Sequence, residues 1–304
     1  MSATKTTTDK VPWLTLAVLV HNPDRAYLDD LFESLLKQSE PFYLDIIDDS
    51  PVAQSDIKIP DALNARYIRH NSNAHGLSGN WNFAVREARS RWVSVLHQDD
   101  MLHADYTQII AELIDTYPRA SAVFSHARII DENGRPASTL ADRVKQRLLK
   151  KIEGTRYTLA GDEGSATLLR GNFIFCPAVC FNRDMLGLHG FNERWKMVPD
   201  LALYLHLLFK GHMLAGSKKV GMLYRRHQAQ ATAKYQATGL RFEEEFALYR
   251  QMLPCYELEG WWRAEQAAER ATILKLHVGK EMLSRLLRGQ VWQALKLGRY
   301  FFRS

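Results

Sequence analysis

The sequence predicts an α/β protein with a doubly wound, mostly parallel sheet of Rossmann-like type and a C-terminal helical extension. Three observations carry this. Strand-like and helix-like hydrophobic patterns alternate over the first hundred residues, the rhythm of β-α-β units. Several of these strands end abruptly on polar residues, where such sheets bind ligands. From about Leu240 to the end the pattern is helical, without internal repeats.

The elements follow in order. WLTLAVLV (13–20) is a continuous apolar run of strand length. AYLDDLFESLLKQ places Leu28, Leu31, Phe32, Leu35 and Leu36 at helical spacing. FYLDIIDD reads as a second strand and ARYIRH as a short third. SGNWNFAVREAR puts Trp81, Ala84, Val85 and Ala88 on one helical face, and WVSVLH is the next strand. ADYTQIIAELIDTYP is a helix ended by Pro118, and SAVFSHARII a strand before the turn ENGRP. Residues 138–164 are charged and poor in large apolar side chains, so they read as a surface excursion, a loop over the crevice. Ordered patterns return with SATLLRGNFIFCPAVCF, GFNERWKMVPDLALYLHLLFKGH and VGMLYRRH. The expected organisation is a disordered segment 1–11, a catalytic domain 12–238 and a helical region 239–304.

The chain has 304 residues, 46% hydrophobic and 24% charged, within the range of soluble globular proteins. Three cysteines with no CxxC pair give neither a disulfide framework nor a zinc site, and a reducing cytoplasm fits. The N-terminal apolar run is too short for a membrane span and lacks a basic flank and cleavage site. The net charge of +6 admits nucleic acid, a membrane surface or a phosphorylated substrate as partner. Without an RNP, zinc-finger or helix-turn-helix signature, nucleic acid is disfavoured.

The chemistry concentrates at strand ends. Strand one stops at His21-Asn22, strand two at Asp48-Asp49-Ser50, and the later strand at Gln98-Asp99-Asp100. Either acidic end alone is as readily a turn or a helix N-cap. Two in one sheet favour a site, and carboxylate oxygens suit Mg²⁺ or Mn²⁺ completed by substrate phosphates. The chain has no GxxxxGK[ST] loop and no GxGxxG fingerprint, which removes P-loop NTPases and Rossmann dehydrogenases.

The ordered set VHNPDRAYLDDLFESLLKQ, IIDDS, NAHGLSGNWNFAVREA, LHQDD, GFNERW with VPDLALYLHL, and YRRHQAQAT resembles the family 2 nucleotide-sugar glycosyltransferases, from about Trp13 to Thr232. The resemblance implies a GT-A fold, an inverting mechanism, Mn²⁺ or Mg²⁺, and roles for matched positions. Asn22 would line the nucleotide pocket. Asp49, with Asp48, matches the aspartate that bonds the nucleobase, and Asn82 the helix asparagine near the nucleotide. Gln98-Asp99-Asp100 falls on the DxD-type motif, with Asp99 toward the ribose and Asp100 on the metal. Asp200 matches the general base, and His227 a histidine that contacts metal or diphosphate. Arg225 and Arg226 pair either with phosphate or with surface carboxylates, and Trp195 either stacks on an acceptor sugar or belongs to the core. Pro199 stands where the base motif often carries glutamate, and Gln98 cannot bear charge. No QxxRW motif and no membrane spans are present, which disfavours a processive synthase.

The implied partners are a nucleotide-diphospho-sugar and a saccharide or lipid-linked acceptor in surface-polysaccharide assembly. A non-catalytic carbohydrate- or nucleotide-binding homologue is the alternative. A nucleotidyltransferase would show a glycine-rich basic loop after strand one, which VHNPDRAY is not. The last thirty residues carry Lys275, Lys280, Arg285, Arg288, Lys296, Arg299 and Arg303 against Glu281, with apolar residues at helical spacing and Trp292, Tyr300, Phe301 and Phe302 near the end. Such a basic amphipathic stripe either lies on an anionic bilayer or packs on the catalytic domain or a second subunit.

Overall fold

The computed structural model describes residues 11–70, 76–187, 190–227 and 239–299, without the side chains of 140 and 141. Of the segments singled out above, residues 1–10, His75, the stretch from Gln228 to Thr232, and Tyr300 to Arg303 lie outside the described residues.

The frame is a nine-stranded mixed sheet. Strands β1 (Leu14–Val20), β2 (Phe42–Asp48), β3 (Arg66–Arg69) and β4 (Trp92–His97) form a parallel half in the order β3-β2-β1-β4. The short β5 (Met101–Leu102) runs antiparallel to the far strand β9 (Met213–Arg225). Between β4 and β9 lie β8 (Val179–Asn182), antiparallel to both β4 and β6, and β6 (Ala122–Ile130), parallel to β9. Strand β7 (Arg156–Ala160) pairs antiparallel with β9.

β1 is buried along its whole length because both faces of the sheet are covered. Its side chains alternate. Leu14, Leu16, Val18 and Val20 join one apolar cluster with helices α1 (Arg25–Leu35) and α3 (Tyr106–Thr116). Ala17 and Leu19 join the other, with α2 (Gly76–Glu87), α5 (Gly161–Arg170) and α7 (Pro199–Phe209). Asp24 caps α1 by accepting from the Ala26 N–H at 2.9 Å.

The segment expected as a surface loop is structured. It holds helix α4 (Leu140–Lys151), strand β7 and the start of α5. A capping box between Thr139 and Asp142 starts α4. In β7 only Tyr157 and Leu159 face inward, so two apolar residues suffice to anchor it and composition alone does not reveal a strand.

After the short α6 (Arg183–Leu186) and α7, the chain ends in α8 (Leu240–Glu259), α9 (Trp262–Arg270), α10 (Thr272–Leu287) and α11 (Val291–Gly298). These helices share the α5–α7 core through Phe246, Tyr249, Tyr256, Ala264, Leu274, Val278 and Leu297. The helical extension is therefore fused to the sheet domain rather than hung from it. Among the described residues no helix is long and apolar enough to cross a membrane.

Candidate active site

Register sets the crevice. Val20 pairs with Asp48 and Leu19 with His97, so β1, β2 and β4 end at nearly the same level. His21, Asp49 and Gln98 emerge side by side. Gln98 accepts from the His21 backbone N–H at 2.7 Å and donates to the His21 carbonyl at 3.2 Å. It continues the β1–β4 ladder by one side chain, a task that needs both a donor and an acceptor and that a carboxylate cannot perform. Asn22 adopts a left-handed backbone, φ 45°, and its N–H donates to Ser50 Oγ at 2.8 Å.

The two aspartates of the second strand end divide. Asp48 is fully buried and accepts from the Ser50 and Gln54 backbone N–H groups and the Tyr67 hydroxyl, with Arg69 3.1 Å away. Burial opposes its charge, but these hydrogen bonds prevail and hold its carboxyl below the usual range. Asp48 organises the loop. Asp49 faces the crevice, paired with His21 Nδ1 at 3.0 Å and with the Asn80 amide, which itself bonds His70 Nδ1 at 2.8 Å.

The acidic turn after β4 is clamped from β9. Asp100 is 1% exposed, and its Oδ1 accepts the Arg225 backbone N–H at 2.9 Å. The Arg225 side chain, equally buried, donates to the Asp99 carbonyl at 2.9 Å, the Glu132 carbonyl at 3.1 Å and Asp30 Oδ2 at 2.7 Å, and lies 4.4 Å over the Tyr27 ring. Asp99 meets His227 Nε2 at 2.8 Å. Burial and the adjacent Asp99 charge push the Asp100 carboxyl well up, and burial holds His97 neutral. His97, Asp99 and Asp100 offer one ligand atom each, all within 4.8 Å of one another. Asp100 Oδ2 and His97 Nε2 are buried with no hydrogen-bond partner among the described residues. Two carboxylates and an imidazole, with a buried oxygen left over, fit a divalent cation such as Mn²⁺ or Mg²⁺. His227, expected on the metal, instead directs Nε2 at Asp99.

Across the crevice, Pro199 opens α7 and Asp200 follows in its first turn. Asn172 Nδ2 approaches Asp200 Oδ2 at 3.4 Å. Burial raises the Asp200 carboxyl, opposed by the Leu201 backbone N–H and by the Lys145 and Arg241 charges. Lys145, from α4, sits 4.3 Å over the Phe175 ring, which packs 5.2 Å from Tyr224. Burial first, then Arg241, lowers the Lys145 ammonium to about 8. α4 is fixed there by Arg226, whose guanidinium forks onto both Asp142 oxygens at 2.7 Å. Of the two readings of Arg226, the structure has the carboxylate one.

Two expected site residues lie elsewhere. Asn82 exchanges hydrogen bonds with the Phe191 backbone, at 2.7 and 2.8 Å, and Asn80 is the helix asparagine that reaches Asp49. Trp195 is 3% exposed, beneath Arg194 at 4.9 Å. Asn82 and Trp195 both line a cavity of about 500 Å³ between α2, α7 and α8. Sequence reasoning missed Lys145 and Asn80 as members of the site, and read Arg225, like Arg226, as a partner of phosphate or of a surface carboxylate. Of the two missed, only Asn80 carried a visible signal, lying one helical turn from the glycine that opens α2.

The family model described as Glycosyl transferase family 2 matches residues 15–184. The chain is 24% identical over 263 residues to TuaG of Bacillus subtilis, named for teichuronic acid biosynthesis, covering 83% of this chain and 93% of that one. It is 28% identical over 132 residues to protein y4gI of Sinorhizobium fredii, covering 40% of this chain and only 14% of that longer relative. Among solved structures, Staphylococcus aureus TarS 1–349 with UDP-GlcNAc superposes with TM-score 0.58 at 15% identity, over 95% of this chain and 91% of that one. The mannosyltransferase PcManGT of Pyrobaculum calidifontis, with GDP-Man and Mn²⁺, superposes with TM-score 0.57 at 12% identity, over 97% and 87%. A parallel half-sheet ending on a cation-ready acidic turn, within a family match covering more than half its length, makes this chain a family 2 glycosyltransferase on a GT-A fold.

Proposed function

We propose that the protein transfers one sugar, with inversion, from a nucleotide-diphospho-sugar to a saccharide or lipid-linked acceptor in surface-polysaccharide assembly, at the inner face of the cytoplasmic membrane. The observation that carries this is a cation-ready triad and a buried, charge-flanked Asp200 carboxylate that both lie within electrostatic reach of Tyr224. Asp49 and Asn80 supply acceptor and donor edges suited to a nucleobase. Asp99 supplies an oxygen toward the ribose.

His97, Asp99 and Asp100 would hold Mn²⁺ or Mg²⁺, which supplies positive charge to a departing diphosphate. Asp200 takes the proton from the acceptor hydroxyl as that oxygen bonds the anomeric carbon. The bond from that carbon to the diphosphate oxygen breaks on the opposite face, and the electron pair leaves with the nucleoside diphosphate. A carboxyl raised by burial is a stronger base than a solvated one, which suits this task. Lys145 contributes positive charge between the two walls.

A thermal-shift screen of nucleotide-sugars with Mn²⁺ and Mg²⁺ tests the donor, since a ligand of the native state raises its melting temperature by mass action. A metal-dependent shift followed by release of nucleoside diphosphate is the expected result. A shift without turnover for any donor and saccharide acceptor would instead make the protein a binding homologue.

A further inference from the structure

The last two helices are apolar on two sides. On α10, Leu274 and Val278 enter the core, while Leu276, Leu283 and Leu287 are 64%, 58% and 81% exposed. Spacings of seven and four put these three leucines on one stripe, opposite the buried one. On α11, Ala294 and Leu297 are buried, while Val291, Trp292 and Leu295 are 53%, 73% and 59% exposed. An apolar face of this extent, with a tryptophan at 73%, is not the scattered surface hydrophobicity of an ordinary monomer.

Charge decides between occupants. Arg285 is spent on Glu281 at 2.8 Å, and Arg299 faces Glu243 at 3.7 Å. Lys280 shares the helical face of the apolar stripe and is exposed, as are Arg288 and Lys296. A second copy docked face to face would oppose lysine to lysine. Anionic headgroups would neutralise every one, and the lysine stems can lie along the apolar surface with their heads in the headgroup layer.

We propose that α10 and α11 dock the protein on an anionic lipid bilayer, with Leu283, Leu287, Trp292 and Leu295 at the headgroup–acyl boundary and Lys280 and Lys296 on lipid phosphates. This deepens the membrane-face reading above and rests on it for the acceptor alone.

The test is sedimentation of the full chain with vesicles of phosphatidylcholine, with and without phosphatidylglycerol, in the absence of any sugar donor. Binding to the anionic vesicles alone, reversed by high salt, is expected. Leu287→Ser with Trp292→Ser, and separately Lys280→Glu with Lys296→Glu, alter exposed positions and should each weaken binding by about tenfold or more while keeping the wild-type melting temperature. Brominated lipid should quench tryptophan emission in the wild type and less in the serine variant. The proposal is overturned if anionic vesicles leave the protein in the supernatant, or if either variant binds as well as wild type. It is equally overturned if light scattering shows a wild-type dimer that the serine variant converts to monomer, which would assign the face to a second copy. A donor shift in the nucleotide-sugar screen stands or falls separately from all of these.

Discussion

Replacing Arg225 isolates what holds the acidic turn. Its three side-chain nitrogens donate to two backbone carbonyls and to Asp30, and the whole group is buried. Lysine keeps the charge but has one nitrogen for three separated acceptors, so Arg225→Lys leaves two backbone carbonyls without their Arg225 donor. At about 1–2 kcal/mol for each hydrogen bond lost inside the protein, and with a weaker contact to Tyr27, the cost is about 3 kcal/mol. Unfolding entropy of about 2.1 cal/mol/K per residue over 304 residues turns this into a drop of about 5 °C in melting temperature. The stability loss alone would mark a structural residue. The sharper expectation is that the released Asp99 carbonyl loosens the turn, so that the Mn²⁺-dependent part of nucleoside-diphosphate stabilisation shrinks while the metal-independent part persists. Differential scanning fluorimetry with and without Mn²⁺ reads both. A variant that melts with the wild type and keeps its full Mn²⁺ response would refute the role.

The remaining expectations concern the two walls. Asp200→Asn should abolish transfer and keep the donor-induced thermal shift; surviving transfer would remove Asp200 as base. Its raised pKa means the charged carboxylate costs stability at neutral pH, so the same variant should melt at or above wild type at pH 7, the difference closing as pH falls through the folded-state value toward 3.8. Asp100→Asn keeps the oxygen that meets the Arg225 N–H but loses the charge, so calorimetry should show Mn²⁺ binding lost; binding equal to wild type would place the cation elsewhere. Lys145 titrates near 8 in the fold against 10.5 unfolded, so its ammonium opposes folding fully below about 8 and this cost fades as pH rises to 10.5. Lys145→Met should therefore melt above wild type at pH 7 and converge with it at high pH, while wild-type turnover falls above about pH 8 and the variant's lower turnover stays flat there. Gln98→Glu should lower the melting temperature by a few degrees, through the lost donor to the His21 carbonyl and a third negative charge beside Asp99.

The sheet and the acidic strand ends were legible because they are written in period and punctuation. β1, β2 and β4 are largely apolar runs that stop on polar residues, and parallel pairing carries those stops to one edge. Residues 138–164 were illegible for a matching reason. β7 earns its place with Tyr157 and Leu159 alone, and α4 is started by the local Thr139–Asp142 cap and held by the Arg226 fork, a long-range polar contact that leaves no periodic trace. Side-chain direction was the other blind spot. Asn80 and Asn82 both lie on α2, two residues and so about 200° apart, which sends one to Asp49 and the other to Phe191. Arg225 is the last residue of β9 and Arg226 the first beyond it, its N–H still on the Ile130 carbonyl, and the two side chains part, one into the acidic turn and one onto α4.

That alternation also explains why the acidic pair stays available. Two carboxylates with ligand atoms within 4.8 Å repel by about 3 kcal/mol at an effective dielectric near 20. A guanidinium placed between them would cancel this and close the site. Arg225 does not sit so: it meets Asp99 through the backbone carbonyl and Asp100 through its own backbone N–H, and its fork goes on to Asp30. Geometry is fixed by backbone hydrogen bonds, while the Arg225 charge acts on the Asp100 carboxyl through space and His227 meets one oxygen of Asp99. Asp30→Asn follows as a discriminating substitution. It is half-exposed, so its own loss costs little stability, but the guanidinium then turns its charge toward the pair. Mn²⁺ affinity should fall several-fold in calorimetry with the melting temperature nearly unchanged. An unaltered Mn²⁺ affinity would mean that the direction of the Arg225 charge does not govern cation binding.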